Sequence, residues 1–161
     1  MAKKVKIKKT LVEQILSKAG ISHQGIQINA LEGELPQGYE RDQIFKTLAL
    51  LGDKTGPIIG IVPITQHLSE KKLAKISGNK KVNMIPQKDL EKTTGYIHGA
   101  NNPVGIRQKH NYPIFIDQSA LELEEMIVSA GEVGHSIIIN PKDLASFVKA
   151  DFAYILEASN T

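Results

Sequence analysis

Two apolar runs facing each other across a short turn constrain this chain more than any other feature. They are Phe45-Lys46-Thr47-Leu48-Ala49-Leu50-Leu51 and Pro57-Ile58-Ile59-Gly60-Ile61-Val62-Pro63, separated by Gly52-Asp53-Lys54-Thr55-Gly56. Segments of this length, bounded by glycine and proline, predict a β-hairpin. Both faces of these strands are apolar, so the sheet must be covered by helices or curled upon itself.

The remaining chain alternates short helices with short strands. Thr10 caps a first helix, with Glu13 in capping-box spacing, and Gly20 is its left-handed stop. Leu11, Ile15 and Leu16 are expected on its buried face, and Ile21–Asn29 reads as a strand. Ser69 caps a helix that runs through Ile76 to Gly78, and Val82–Ile85 is a short strand. Pro86 opens a helix ended by Gly95, followed by a Gly- and Asn-rich loop to about Asn111. Pro113–Asp117, Glu125–Ser129 and His135–Asn140 read as strands, Asn140-Pro141 opens a last helix, and Phe152–Leu156 is a closing strand. The expected fold is mixed α/β, or α+β-like. It is a single domain over residues 1–161, with residues 1–9 a basic, flexible N-terminus. A chain of 161 residues suffices for one core.

No apolar run approaches the ~18–20 residues of a membrane helix, and the basic N-terminus lacks the apolar centre of a signal peptide. The chain contains no cysteine, which removes disulfides, thiolate nucleophiles and thiolate metal sites and fits a cytoplasmic setting. Charge is unevenly spread. Residues 1–110 carry 18 Lys and Arg against 9 Asp and Glu, a net of +9; residues 111–161 carry 2 against 8, a net of −6. The basic half, with Lys71, Lys72, Lys75, Lys80 and Lys81, suits a polyanion, or else forms an ordinary solvated surface.

Three places break local rules. Lys46 shares a strand face with Leu48 and Leu50, where an ammonium is costly unless it meets an anion or its stem snorkels to water. Ser129-Ala130-Gly131-Glu132-Val133-Gly134 ends an apolar strand in a glycine turn, which is either a nest of backbone amides or a plain connection. Thr94 to Gly105, containing Tyr96, His98, Gly99 and Ala100, is a long loop of the binding or the merely connecting kind. Familiar chemistries are missing. The histidines at 23, 67, 98, 110 and 135 have no zinc-ligand spacing, and there is no phosphate-binding loop and no hydrolase elbow around Ser129. No nucleophile–base pair is evident, and neither a cofactor nor a metal is expected.

The order of these segments resembles the YbaK/EbsC family, free-standing relatives of the editing domain inserted in bacterial prolyl-tRNA synthetases. The resemblance runs through Phe45-Lys46-Thr47-Leu48, Thr94-Gly95-Tyr96, Gly99, Pro103, Gly105, Ile116-Asp117, Val128-Ser129-Ala130-Gly131 and Pro141–Ala145. It implies a curved mixed sheet or partly open barrel flanked by short helices. It also implies trans-editing removal of a mischarged amino acid, most typically Cys from Cys-tRNA(Pro). In such relatives the cysteinyl thiol attacks its own ester carbonyl, so the protein need supply no nucleophile. Other branches hydrolyse Ala or other small aminoacyl esters with bound water, and a non-catalytic aminoacyl-tRNA-binding relative is a further alternative.

By the same resemblance the catalytic positions are Lys46, Gly99, Ser129 and Gly131, and the substrate-binding ones Thr47, Ile28, Tyr96, His98, Ala100 and Ser136. Ala100 stands where the family has a second glycine, Ser136 where the cysteine-specific branch has an acid, and Ile28 where an aromatic residue is usual. The partners implied are the acceptor end of an aminoacyl-tRNA and a prolyl-tRNA synthetase, with no membrane.

Overall fold

The computed structural model of the protein describes residues 9–32 and 34–158. The expected basic N-terminus therefore lies, except for Lys9, outside the described residues. Strands β1 (His23–Ile26), β2 (Phe45–Gly52), β3 (Gly56–Pro63), β4 (Val82–Met84), β5 (Ile114–Asp117), β6 (Met126–Ser129), β7 (Ser136–Ile139) and β8 (Asp151–Ala153) form two sheets. The smaller is antiparallel, in the order β1-β7-β6; the larger is mixed, in the order β4-β2-β3-β5-β8. A parallel bridge between Ile44 and Ile127 joins them, and neither sheet closes into a barrel.

The helices are α1 (Leu11–Lys18), α2 (Glu70–Ser77), α3 (Gln87–Thr94), α4 (Pro103–Lys109) and α5 (Pro141–Val148). Their ends follow the chemistry of caps. Thr10 and Glu13 make the reciprocal capping box, with the Thr10 amide donating to the Glu13 carboxylate at 2.7 Å. Ser69 caps α2, and Gly78 and Gly95 end α2 and α3 in the left-handed region. The buried face of α1 is carried by Val12 and Leu16, whereas Leu11, expected inside, is 60% exposed. Val12 and Leu16 are one helical turn apart, and Leu11 lies about 100° to the side of that stripe.

Helix α4 occupies what reads in sequence as loop. Asn102 is its cap, accepting from the Gly105 amide at 2.6 Å, and Pro103 supplies the preset first turn. Glycine at 105 leaves room for the Tyr96 ring, which lies where a side chain would be. The closing strand also differs: β8 ends at Ala153, beyond which the Ile155 amide donates to the Asp117 side chain, its carbonyl accepts from Ser69, and Leu156 bridges Leu68.

The expected hairpin is present, with Phe45 paired to Pro63 and Gly52 to Gly56. The Ile64 amide donates to the Ile44 carbonyl at 2.9 Å, so every second residue, Lys46, Leu48 and Leu50, bonds β3. Pro57 and Pro63 fall opposite Leu51 and Phe45, in the alternate pairs that require no amide. Asn79 holds the turn, accepting from the amides of Lys54 at 2.8 Å and Thr55 at 3.0 Å. One face of the larger sheet, with Phe45, Ala49, Ile59 and Ile61, packs against the smaller sheet and α1, α4 and α5. The other face, with Leu50, Ile58 and Val62, is covered by Leu73 and Ala74 of α2. Both faces are apolar because both are covered.

Candidate functional site

β2 pairs along one edge with β3 throughout, but its other edge changes partner. At Ile44 that edge meets β6, and from Ala49 onward it meets β4, where the Ile85 amide donates to the Ala49 carbonyl at 3.1 Å. By the alternation of an antiparallel ladder, the backbone N–H and C=O of Thr47 face the gap between these partners. Among the described residues no strand is paired with Thr47 on that edge.

A cleft of about 510 Å³ opens at this gap. Lys46, Thr47, Leu48 and Ala49 line it from β2, reaching it from both faces of the strand. Asn29 and Glu32 border it on one side, and Ile85, Gln87 and Leu90 on another. Above it stand His98, Gly99 and Asn101 from one glycine turn and Val133 from the other. Volume and lining suit a small organic group with a few fixed polar contacts.

Lys46 is half-buried, and among the described residues no carboxylate lies within 4 Å of its ammonium. Desolvation lowers its pKa from the usual lysine value. Leu48 and Leu50 on the same strand face pack under α2, and Lys46 and Leu48 both line the cleft. The cation is thus desolvated without a compensating carboxylate among the described residues. Glu32 on the opposite rim is exposed to solvent.

Of the site residues expected from sequence, Lys46, Thr47, His98 and Gly99 line this one cleft. The others stand behind it. Ser129 is 4% exposed, and its hydroxyl accepts from the Gly131 amide at 3.1 Å, so that amide already has an acceptor. A β-carbon at Gly131 would meet Val12, Asn102 and Tyr96, which places the glycine against scaffold. Tyr96 is wedged between Gly105 and Gly131. Ala100 is buried, Ser136 is buried with its hydroxyl 3.4 Å from the Ile28 carbonyl, and Ile28 packs with Ile44, Ile127 and Ile138. None of these six residues lines the cleft.

Asn101 does line it and was not singled out in the sequence. In the string Asn101-Asn102-Pro103 the structure makes Asn102 the cap of α4, and since α4 reads as loop in sequence, nothing there separates the two asparagines. Lys72, placed in the basic surface by sequence, is partly used by the fold: its ammonium donates to the Leu156 carbonyl at 2.7 Å and lies 3.9 Å from the centre of the Tyr154 ring. Lys71, Lys75, Lys80 and Lys81 are exposed. Among the described residues no three His, Asp or Glu side chains are grouped to hold a metal, and no helix is long and apolar enough to cross a membrane.

The family model of the aminoacyl-tRNA editing domain matches residues 33–147. A protein of Enterococcus faecalis named as a Cys-tRNA(Pro)/Cys-tRNA(Cys) deacylase, EbsC, is 45% identical over 118 residues, covering 73% of this chain and 71% of its own. A proline–tRNA ligase of Limosilactobacillus fermentum is 27% identical over 105 residues, covering 63% of this chain but 18% of the ligase. Among solved structures, one described as a trans-editing enzyme for prolyl tRNA synthetase superposes with a TM-score of 0.76 at 24% identity, over 91% of this chain and 95% of that one.

Proposed function

The chain belongs to the aminoacyl-tRNA editing domain family, and from that premise we propose that it is a trans-acting deacylase of mischarged tRNA, with Cys-tRNA(Pro) its foremost substrate. One observation carries the reading. Among the described residues the cleft presents a half-buried ammonium at Lys46 with no carboxylate within 4 Å, beside the unpaired stretch of the β2 edge at Thr47, and none of its hydroxyls is hydrogen-bonded to a histidine or carboxylate. Such a site stabilises charge and position without supplying an activated nucleophile.

For a cysteinyl ester the chemistry is then balanced by the substrate itself. The thiol sulfur bonds to the ester carbonyl carbon, the bond to the ribose oxygen breaks, and the thiol proton ends on that oxygen. Negative charge on the carbonyl oxygen and on the departing ribose oxygen is countered by Lys46. The amide of Gly99, a residue at the cleft with φ of +89°, has no partner among the described residues and is the candidate second donor. One such donor is worth on the order of 3 kcal/mol in comparable sites. The terminal ribose and phosphates would approach over the basic half of the chain, in the cytoplasm and in concert with a prolyl-tRNA synthetase.

A second reading has its own observation. His98 and Glu32 are exposed at the cleft rim, where either could take a proton from water, which would suit Ala or another small amino acid. The test is a panel of tRNA(Pro) charged with Cys, Ala or Pro and followed for loss of label. A thiolactone from the Cys ester supports the first reading, and free alanine from the Ala ester the second. Stability of every ester in the presence of the protein would overturn both.

A further inference from the structure

Two oxygens at the cleft-lining residues are buried without any hydrogen-bond partner among the described residues: Oγ1 of Thr47 and Oδ1 of Asn101. Asn101 is 7% exposed. Its amide orientation is fixed, because Nδ2 donates to the Ile97 carbonyl at 3.1 Å, leaving Oδ1 as the free acceptor. Its neighbour makes the contrast. Asn102 is fully engaged, with Oδ1 accepting from Gly105 and Nδ2 donating to the Ala100 carbonyl at 3.0 Å. The cap of α4 thus needs one asparagine, and the second, a residue of the cleft lining, retains an unsatisfied carbonyl oxygen shielded from solvent. A buried acceptor left unpaired is a standing cost, and in a native fold it calls for a donor that arrives from elsewhere.

The donor's chemistry follows from the surroundings. Oδ1 is the negative end of an amide dipole, so it repels phosphates, carboxylates and ester oxygens and accepts only an N–H or O–H. Lys46 has the opposite preference. In an aminoacyl ester the carbonyl and ribose oxygens are the acceptors, and the α-amino group is the donor of three protons when charged. Resting on the proposed deacylase reading, we propose that Asn101 Oδ1, with Thr47 Oγ1, receives the α-amino group of the aminoacyl ester and so sets the ester carbonyl toward Lys46. Asn101 is thereby a positioning residue, selective for a free amine.

The test compares two non-hydrolysable ligands, 3′-alanylamido-3′-deoxyadenosine and its N-acetylated form, by titration calorimetry with the full chain. Cleavage of the matching aminoacyl-tRNAs is followed in parallel. The wild-type protein binds the free amine at least tenfold more tightly. Asn101→Leu narrows that preference toward unity, and Thr47→Val reduces it while the melting temperature stays level or rises, which no purely structural role would produce. A tenfold preference retained in both variants overturns the amine site. Equal binding of the two ligands by the wild type overturns it as well. Selective binding of the free amine without cleavage of any ester leaves the amine site standing and overturns the deacylase reading instead.

Discussion

Val133 closes over Gly99: a β-carbon at the glycine would stand 3.5 Å from Cγ2 of the valine. The two glycine turns, far apart in sequence, therefore touch at the mouth of the cleft, and both residues line it. The space would admit an alanine, but the backbone would not favour one, since φ is +89° at Gly99. Gly99→Ala is expected to cost about 1 kcal/mol of stability. Deacylation should fall by about tenfold or more as the amide shifts from its place. Thermal unfolding and single-turnover kinetics on one preparation separate the two effects.

Lys46 gives the complementary prediction. Its ammonium is desolvated without a carboxylate within 4 Å among the described residues, so the fold bears it at a cost. Lys46→Met keeps the aliphatic stem and removes the charge. Melting temperature should hold or rise, while deacylation drops by about a hundredfold or more, the loss seen when one charge-stabilising group is removed from a site of this kind. Undiminished turnover would take Lys46 out of the chemistry.

The same desolvation fixes a pH dependence. A lysine whose folded pKa is lowered binds fewer protons folded than unfolded in the interval between the two values, so stability rises with pH across that interval. Activity runs the other way, because the cation is lost as pH climbs through the lowered folded value. Enzymatic rate, corrected for spontaneous ester hydrolysis, should therefore decline on the alkaline side below the pH at which an ordinary lysine titrates. In Lys46→Arg that decline should vanish, since guanidinium stays charged. A limb unchanged in the arginine variant would assign the titration to another group.

What was legible in sequence followed local chemistry. Caps at Thr10, Ser69 and Asn140 were readable from side-chain type and spacing, and the hairpin from its prolines and glycines. Lys46 stood out because an ammonium among leucines violates a simple solvation rule. What stayed hidden was non-local. The bridge from Ile44 to Ile127 splits the edge of β2 and makes the cleft, yet no residue within Phe45–Gly52 advertises that its neighbour changes. Helix α4 was masked by its own composition, since Asn, Pro and Gly read as loop until Asn102 is seen to cap and Gly105 to receive the Tyr96 ring. Asn101 is hidden in sequence for the same reason.

Tyr96 and Gly105 supply the last prediction, which distinguishes scaffold from substrate contact. A β-carbon at Gly105 would overlap the Tyr96 hydroxyl and ring edge, and the opposite edge of that ring faces Gly131. Alanine normally gains up to about 1 kcal/mol over glycine inside a helix. Here overpacking should reverse the sign, and Gly105→Ala is expected to destabilise by about 1–3 kcal/mol. Tyr96→Phe removes the atom nearest the clash, so the double variant should be less destabilised than the two single changes summed. Because Tyr96 does not line the cleft, its phenylalanine variant alone should keep the KM and kcat of the wild type. A rise in KM for Tyr96→Phe at unchanged melting temperature would mean instead that the hydroxyl reaches the substrate.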